Sequence, residues 1–388
     1  MYRTMLLSIL IGWVAAFAAN PPEFKTEQIF APEAIHNHSS SIVELPNGDL
    51  LVCWYNGSGE RQADDVKIEG ARLSKGAKAW SGRFLMFDTP GFPDTNPVLY
   101  VDSQKRLWMF WGLIVANEWH TAILKYVQSA GVGLGGGGAP KWQWSSEILL
   151  KPVNLLERTK QYLTEVNAPT GERADKLVEH AGDKYFARMG WFTRTHPIEL
   201  PSGRLVLPLY SDGYSYGLMG LSDDHGQTWQ GSEPIICGGG VQPSVVRRRS
   251  GVLVAFLRDN GPPPKRIMMS VSKDDGKSWT FSKDLELPNP GSSVESIALA
   301  DGRWVLVYND TEKGRNSLAV SMSDDEGKTW KWTRHIVKRD AGSFHYPSVI
   351  QTRDGMIHVT YSEYTGGKPD LQTISHARFN AEWVRAGE

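Results

Sequence analysis

The chain has 388 residues, enough for one large repeat domain or two ordinary ones. Its 42 Lys and Arg against 43 Asp and Glu leave a formal net charge of −1 with no basic runs, which argues against a nucleic-acid partner. Fifteen Trp, 39 Gly and 22 Pro suit a turn-rich all-β protein better than a helical one.

From the N terminus, Arg3 precedes an apolar run from Met5 to Phe17, and Ala16-Phe17-Ala18 supplies a small-x-small cleavage signal. The run is short for a membrane span, and no other segment approaches its length. Residues 1–19 read as a secretory signal peptide, with an uncleaved anchor as the alternative. Residues 20–388 are then a secreted or periplasmic protein without a membrane span. Cys53 and Cys237 are the only cysteines, and the sequence leaves open whether they pair. No Cys/His cluster has zinc-ligand spacing, so neither a metal nor a cofactor is expected.

Past the leader, a hairpin pattern recurs: two apolar runs of period two around a turn such as Pro46-Asn47-Gly48. It occupies 41–55, 96–111, 196–210, 242–258, 294–309 and 346–361. Between the second and third hairpins the chain changes character. The stretch 131–138 is nearly all Gly but lacks a Gly-Lys-Ser/Thr ending, and reads as a surface loop rather than a phosphate cradle. From about 149 to 185, residues such as Leu155, Leu156, Thr159, Tyr162, Leu163 and Val166 recur at helical spacing, which predicts a helical insertion.

Three copies of one phrase follow: SDDHGQTW at 222–229, SKDDGKSW at 272–279 and SDDEGKTW at 323–330. A worn copy lies at 74–80, one residue short and without the Asp. A fixed period of about 50 residues marks a repeat architecture such as a propeller. In each copy an Asp can accept bonds from backbone N–H groups of a tight turn, and a Gly supplies the positive φ that closes it. The Trp offers apolar surface to wedge between sheets, with an indole N–H that needs a partner. Six hairpins over residues 20–388 predict an all-β, six-bladed β-propeller of about four strands per blade, with the helical insertion between blades two and three.

The repeated phrase is the Asp-box, and the chain resembles the sialidase (neuraminidase) superfamily of Asp-box, or BNR-repeat, propellers over its whole mature length. The likeness is most specific at 36–80 and 196–365. It implies three arginines for a substrate carboxylate, an Asp acid/base, and a Tyr nucleophile activated by a Glu. In blade four the Glu position holds Gln242, an amide, and Arg258 follows sixteen residues later as the family's arginine does. In blade five Arg315 resembles the third arginine, and in blade six His345-Tyr346-Pro347-Ser348 resembles the segment with the nucleophile. In blade one the family's first arginine is replaced by His38. The loop 60–66 corresponds to the stretch with the acid/base, which gives Asp65 that role with Asp64 beside it. His196 opens blade three much as His38 nearly opens blade one. His36 is assigned a structural role, since alternate strand residues face opposite sides and His36 and His38 would not share a metal ion. Trp54, Trp119, Trp191, Tyr214 and Tyr216 are candidate stacking surfaces for sugar.

Two arginines from adjacent blades make an anion clamp suited to a sugar carboxylate. These expectations describe an exo-acting glycoside hydrolase of a carboxylate-bearing sugar such as sialic acid, acting as a monomer on a glycan or acidic oligosaccharide. Tyr346, Asp65 or Asp64 and His38 would be catalytic, with Arg258, Arg315, Gln242 and His196 binding substrate. A uronate lyase working by β-elimination through His38, Tyr346 and an arginine is the alternative, as is a non-catalytic glycan-binding propeller.

Overall fold

The computed structural model describes residues 21–166 and 171–388; the leader at 1–19 lies outside the described residues. Every hairpin expected from the sequence forms, and each nucleates one of six antiparallel sheets. Blade one comprises His36–Glu44, Leu50–Gly57, Lys67–Leu73 and Phe84–Phe87. Blade two follows with Asp94–Val101, Leu107–Ile114, Ala122–Ser129 and Trp144–Glu147. In blade three the first strand is split into Phe192–Thr193 and Ile198–Glu199, both paired with Leu205–Ser211. Blade four starts at Gly240–Arg247, blade five at Glu295–Ala298 and blade six at Ser343–Gln351. Sheet faces bury apolar residues against the next blade, as in the cluster of Val307, Leu318 and Val320 of blade five with Val349 and Val359 of blade six.

Blade six has three consecutive strands and takes its fourth from the other end of the chain. Phe24–Gln28 pairs antiparallel with Gln372–Phe379, from Phe24 opposite Phe379 to Gln28 opposite Ser375. The insertion forms the helices Leu155–Glu165, Glu172–Gly182 and Lys184–Arg188, packed on blades two and three through Leu155, Leu156, Tyr162 and Leu177. Cys53 and Cys237 are both buried and free. No helix among the described residues is long and apolar enough to cross a membrane.

The Asp-boxes close the turns between third and fourth strands. In the first, Asp224 accepts from the N–H groups of Gln227 and Thr228 and from the hydroxyls of Ser222 and Thr228. The Thr228 hydroxyl is the largest of the influences that draw this carboxylate down to about 2. The indole of Trp229 donates to the Gly226 carbonyl. Gly226 itself, at φ 85°, faces Trp108 of the preceding blade so closely that a Cβ would come within 2.2 Å of that ring. These acids are fully engaged in their own turns. Since strands alternate direction, the boxes lie at one end of the propeller, and the loops joining second to third strands lie at the other.

Candidate functional site

That other end is where the first strands begin and the second strands finish. Four first strands are bulged near this end, with register shifts between His38 and Ser41, Thr95 and Val98, Val241 and Ser244, and His345 and Ser348. Each bulge holds a residue in the left-handed region: Ser39 at φ 59°, Asn96 at 50°, Gln242 at 53° and Tyr346 at 52°. Pro97, Pro243 and Pro347 follow three of them, placing a residue without an N–H where the ladder is already broken. Bulges re-aim side chains, and here Asn96 and Tyr346 line a cavity of about 330 Å³.

Tyr346 is the focus of this cavity. Its phenol oxygen receives Arg258 Nη1 at 2.9 Å and Gln242 Nε2 at 3.3 Å, while Arg258 Nη1 also reaches Gln242 Oε1 at 3.4 Å. Three guanidinium carbons lie near its ring centroid: Arg194 at 4.8 Å, and Arg258 and Arg315 at 5.9 Å each. Arg315 donates to the Gly291 carbonyl at 2.7 Å and to His345 Nδ1 at 2.6 Å. A guanidinium has only donors, so His345 Nδ1 is the acceptor and Nε2 carries the proton toward Ser343 Oγ, 2.7 Å away. Burial, with Arg315 adding, pushes His345 down to about 3, in keeping with that neutral ring.

His38 packs on Tyr346 with ring centroids 4.3 Å apart, and its Nδ1 lies 3.1 Å from the hydroxyl of Tyr364. Burial holds His38 well below the usual imidazole range, and the charges of His345, His36, Arg315 and Arg194 act in the same direction. The structure thus brings His38, Gln242, Arg258, Arg315 and Tyr346 together from blades one, four, five and six.

The other three expected residues stand elsewhere. Asp65 is exposed, and its carboxylate closes its own loop by accepting from Ser58 N at 3.1 Å and Ser58 Oγ at 2.9 Å. Asp64 is also exposed and accepts from Asn117 Nδ2 at 3.0 Å. The loop's acid that does reach the cavity is Glu60, which accepts from Tyr55 Oη at 3.1 Å and stands 3.5 Å from His36 Nε2. Burial would raise Glu60, but His36, Tyr55 and Arg61 outweigh it and hold the carboxyl below its ordinary value. His196 does not line this cavity. It lies in the gap of the split first strand, with Nδ1 3.0 Å from Glu295 and Nε2 2.9 Å from the Ile42 carbonyl, and both groups are buried.

Several cavity residues carry no family signal: His36, Asn96, Asp212 and Tyr364 line it, and Arg194 lies beneath. Arg194 is fully buried, donates to the Pro347 carbonyl at 3.1 Å, and leaves its Nε and Nη1 without a partner. The signal that finds most of them is positional. Starts of first strands, ends of second strands and the loop after them all face this end, whatever residue they hold. Among the described residues no cluster of ligands suits a metal ion.

The BNR repeat-like domain family matches residues 173–359. A sialidase of Bacteroides fragilis is 23% identical over 368 residues, covering 88% of this chain and 60% of the bacterial protein, so the chain spans less than two thirds of that relative. Among solved structures, a Dyadobacter fermentans protein of unknown function superposes with a TM-score of 0.69 at 17% identity, covering 92% of this chain and 99% of that one. A leech intramolecular trans-sialidase complexed with 2,7-anhydro-Neu5Ac gives 0.67 at 14% identity, covering 90% and 69%. Its six blades and Asp-boxes make this chain a six-bladed β-propeller similar to the BNR-repeat propellers of the sialidases.

Proposed function

We propose that the protein is an exported glycoside hydrolase that removes a carboxylate-bearing sugar, such as sialic acid, from the ends of glycans. The observation that carries this is the convergence of Arg258 and Arg315 around Tyr346 inside one cavity. Two fixed guanidinium groups suit a sugar carboxylate, which each can grip through paired N–H donors. At about 330 Å³ the space is at the small end of ligand pockets, which favours one terminal residue over the interior of a polymer. Likeness to sialidases supports the same chemistry. Tyr346 would attack or stabilise the anomeric carbon, with the N–H donors of Arg258 and Gln242 set to stabilise charge on its oxygen. Of the acids in blade one's loop, the one that faces the cavity is Glu60 rather than Asp65 or Asp64.

A second reading draws on His38. A buried neutral imidazole packed at a tilt against Tyr346 and touching Tyr364 is placed to take the α-proton of a uronate while a tyrosine protonates the leaving oxygen, giving β-elimination. One experiment separates the readings: protein is incubated with methylumbelliferyl α-sialoside and, separately, with uronate polysaccharides. Fluorophore release reduced on the order of 10²-fold or more in Tyr346→Phe supports hydrolysis. Growth of unsaturated-uronate absorbance, abolished in His38→Ala, replaces hydrolysis with elimination. Glycan binding without either product rejects both enzymes and leaves a binding module.

A further inference from the structure

Two carboxyl groups from different blades face the cavity, and their surroundings drive them apart. Glu60, from blade one, has partners for its charge in His36 and Tyr55. Asp212 follows the second strand of blade three, Leu205–Ser211, and lines the same cavity beside Tyr210, Asn96 and Trp119. Its half-buried carboxyl receives no hydrogen bond from any described residue. A carboxyl left free in an otherwise crowded polar cavity is available to a ligand.

We propose that Asp212 is the proton donor to the leaving oxygen, with Glu60 as the ionised base that accepts a proton from the attacking water. This rests on the hydrolase reading above. The charged and titratable groups near Asp212 are Arg258 of blade four, Arg61 and Glu60 of blade one, and Tyr210 of its own blade. Burial dominates and raises the Asp212 carboxyl despite the pull of Arg258 and Arg61, whereas Glu60 is held down. Paired acids with opposed environments divide into a proton donor and an ionised partner.

The step balances without any further reactant. As the bond between the anomeric carbon and the glycosidic oxygen breaks, its electron pair stays on that oxygen, which takes the Asp212 proton and leaves as an alcohol. Water supplies the new hydroxyl at the anomeric carbon and gives its proton to Glu60. Glu60 returns that proton through solvent, and Asp212 is reprotonated.

The test compares leaving groups. Methylumbelliferone departs without help, whereas the lactose of sialyllactose needs a proton. In Asp212→Asn, kcat/KM for sialyllactose is expected to fall on the order of 10²–10⁴-fold, with methylumbelliferyl sialoside falling less than about tenfold. The alkaline limb of the wild-type pH profile should disappear with it, and Asp212→Glu should restore part of the sialyllactose rate. Equal losses on both substrates, or no loss, overturn the role of Asp212 while leaving a working hydrolase. Wild-type protein inert toward both sialosides overturns the hydrolase reading itself, and the assignment with it. Unchanged thermal unfolding of the near-isosteric Asn variant excludes misfolding as the cause.

Discussion

Tyr346 holds a backbone conformation that a bulky side chain rarely adopts, φ 52°, at a strain of roughly 1–2 kcal/mol. The bulge that imposes it aims the phenol at Arg258 and Gln242, so the strain is tied to the geometry of the cavity. Gln242 is the residue that most separates this cavity from a sialidase of the ordinary pattern, because an amide cannot take a proton from the phenol. Gln242→Glu puts a carboxylate in the same volume, within reach of Arg258 Nη1 and Tyr346 Oη. If hydrolysis is limited by that missing acceptor, kcat/KM for methylumbelliferyl sialoside should rise by about tenfold, or roughly 1.4 kcal/mol of barrier. A fall instead would show that the amide is fitted to chemistry in which Tyr346 starts out protonated, as an elimination that uses it to protonate the leaving oxygen requires. Strand register carried position for five of the expected residues: Gln242, Arg258, Arg315, Tyr346 and His38 all reach the cavity or its phenol. It failed for His196, whose His-Pro context matches Gln242-Pro243 and Tyr346-Pro347. The first strand of blade three is split at that point, and the imidazole turns to Glu295 instead. It failed for Asp65 because nothing in the sequence says that Ser58 occupies that carboxylate.

The Asp-box is legible as an element because its bonds are short in sequence. Asp274 of the second box accepts from Ser278 N and Ser278 Oγ, four residues away, and Trp279 donates to Gly276 at 3.0 Å. What the phrase alone does not reveal is how much each member contributes. Trp279 is only 3% exposed and lies in the cluster of Val206, Met219, Leu221 and Leu253 that joins blades three and four. Trp279→Ala should therefore destabilise by about 3–5 kcal/mol, measured as a lower urea midpoint with an unchanged slope. Trp144, 60% exposed on an outer strand, should lose less than about 1 kcal/mol on the same substitution. Similar losses at both positions would mean that the box Trp does not wedge the blades. The helical insertion was equally readable, from apolar residues at helical spacing, since Leu155 and Tyr162 do face the core. The strand Phe24–Gln28 carries no such local signal. Its partner lies about 350 residues away, and non-local pairing leaves no imprint on the spacing of neighbours.

That strand closes the ring, and the chemistry of its seam sets how the whole molecule responds to acid. Glu27 Oε1 accepts from the Trp80 indole of blade one at 3.1 Å and lies 3.2 Å from His376 Nδ1 of blade six, so one carboxylate ties the closing strand to both neighbours. His376 Nε2 in turn stands 2.9 Å from His358 Nδ1, an arrangement with room for one proton between two rings. Burial, helped by His376 and Arg378, pushes His358 down to about 3, and burial lowers His376 as well. The bond with His376 is the main influence drawing Glu27 down to about 2. A histidine depressed in the folded state binds its proton first in the unfolded chain, so its stabilising effect is complete above pH 6.5 and is lost as the pH falls toward 3. Glu27 acts in the same direction at lower pH, from 4.5 toward 2. His196 opposes them, since Glu295 raises it despite burial and its contribution is lost on the alkaline side. Between pH 6.5 and pH 5 the His358 effect alone amounts to about 2 kcal/mol. Thermal unfolding should therefore show a midpoint that drops steadily from pH 7 to pH 4. His358→Gln, which keeps a polar side chain but cannot titrate, should make the drop shallower, although His38 and His345 in the cavity keep it from vanishing. A drop as steep in His358→Gln as in the wild type would remove the seam as the acid-sensitive part of the propeller.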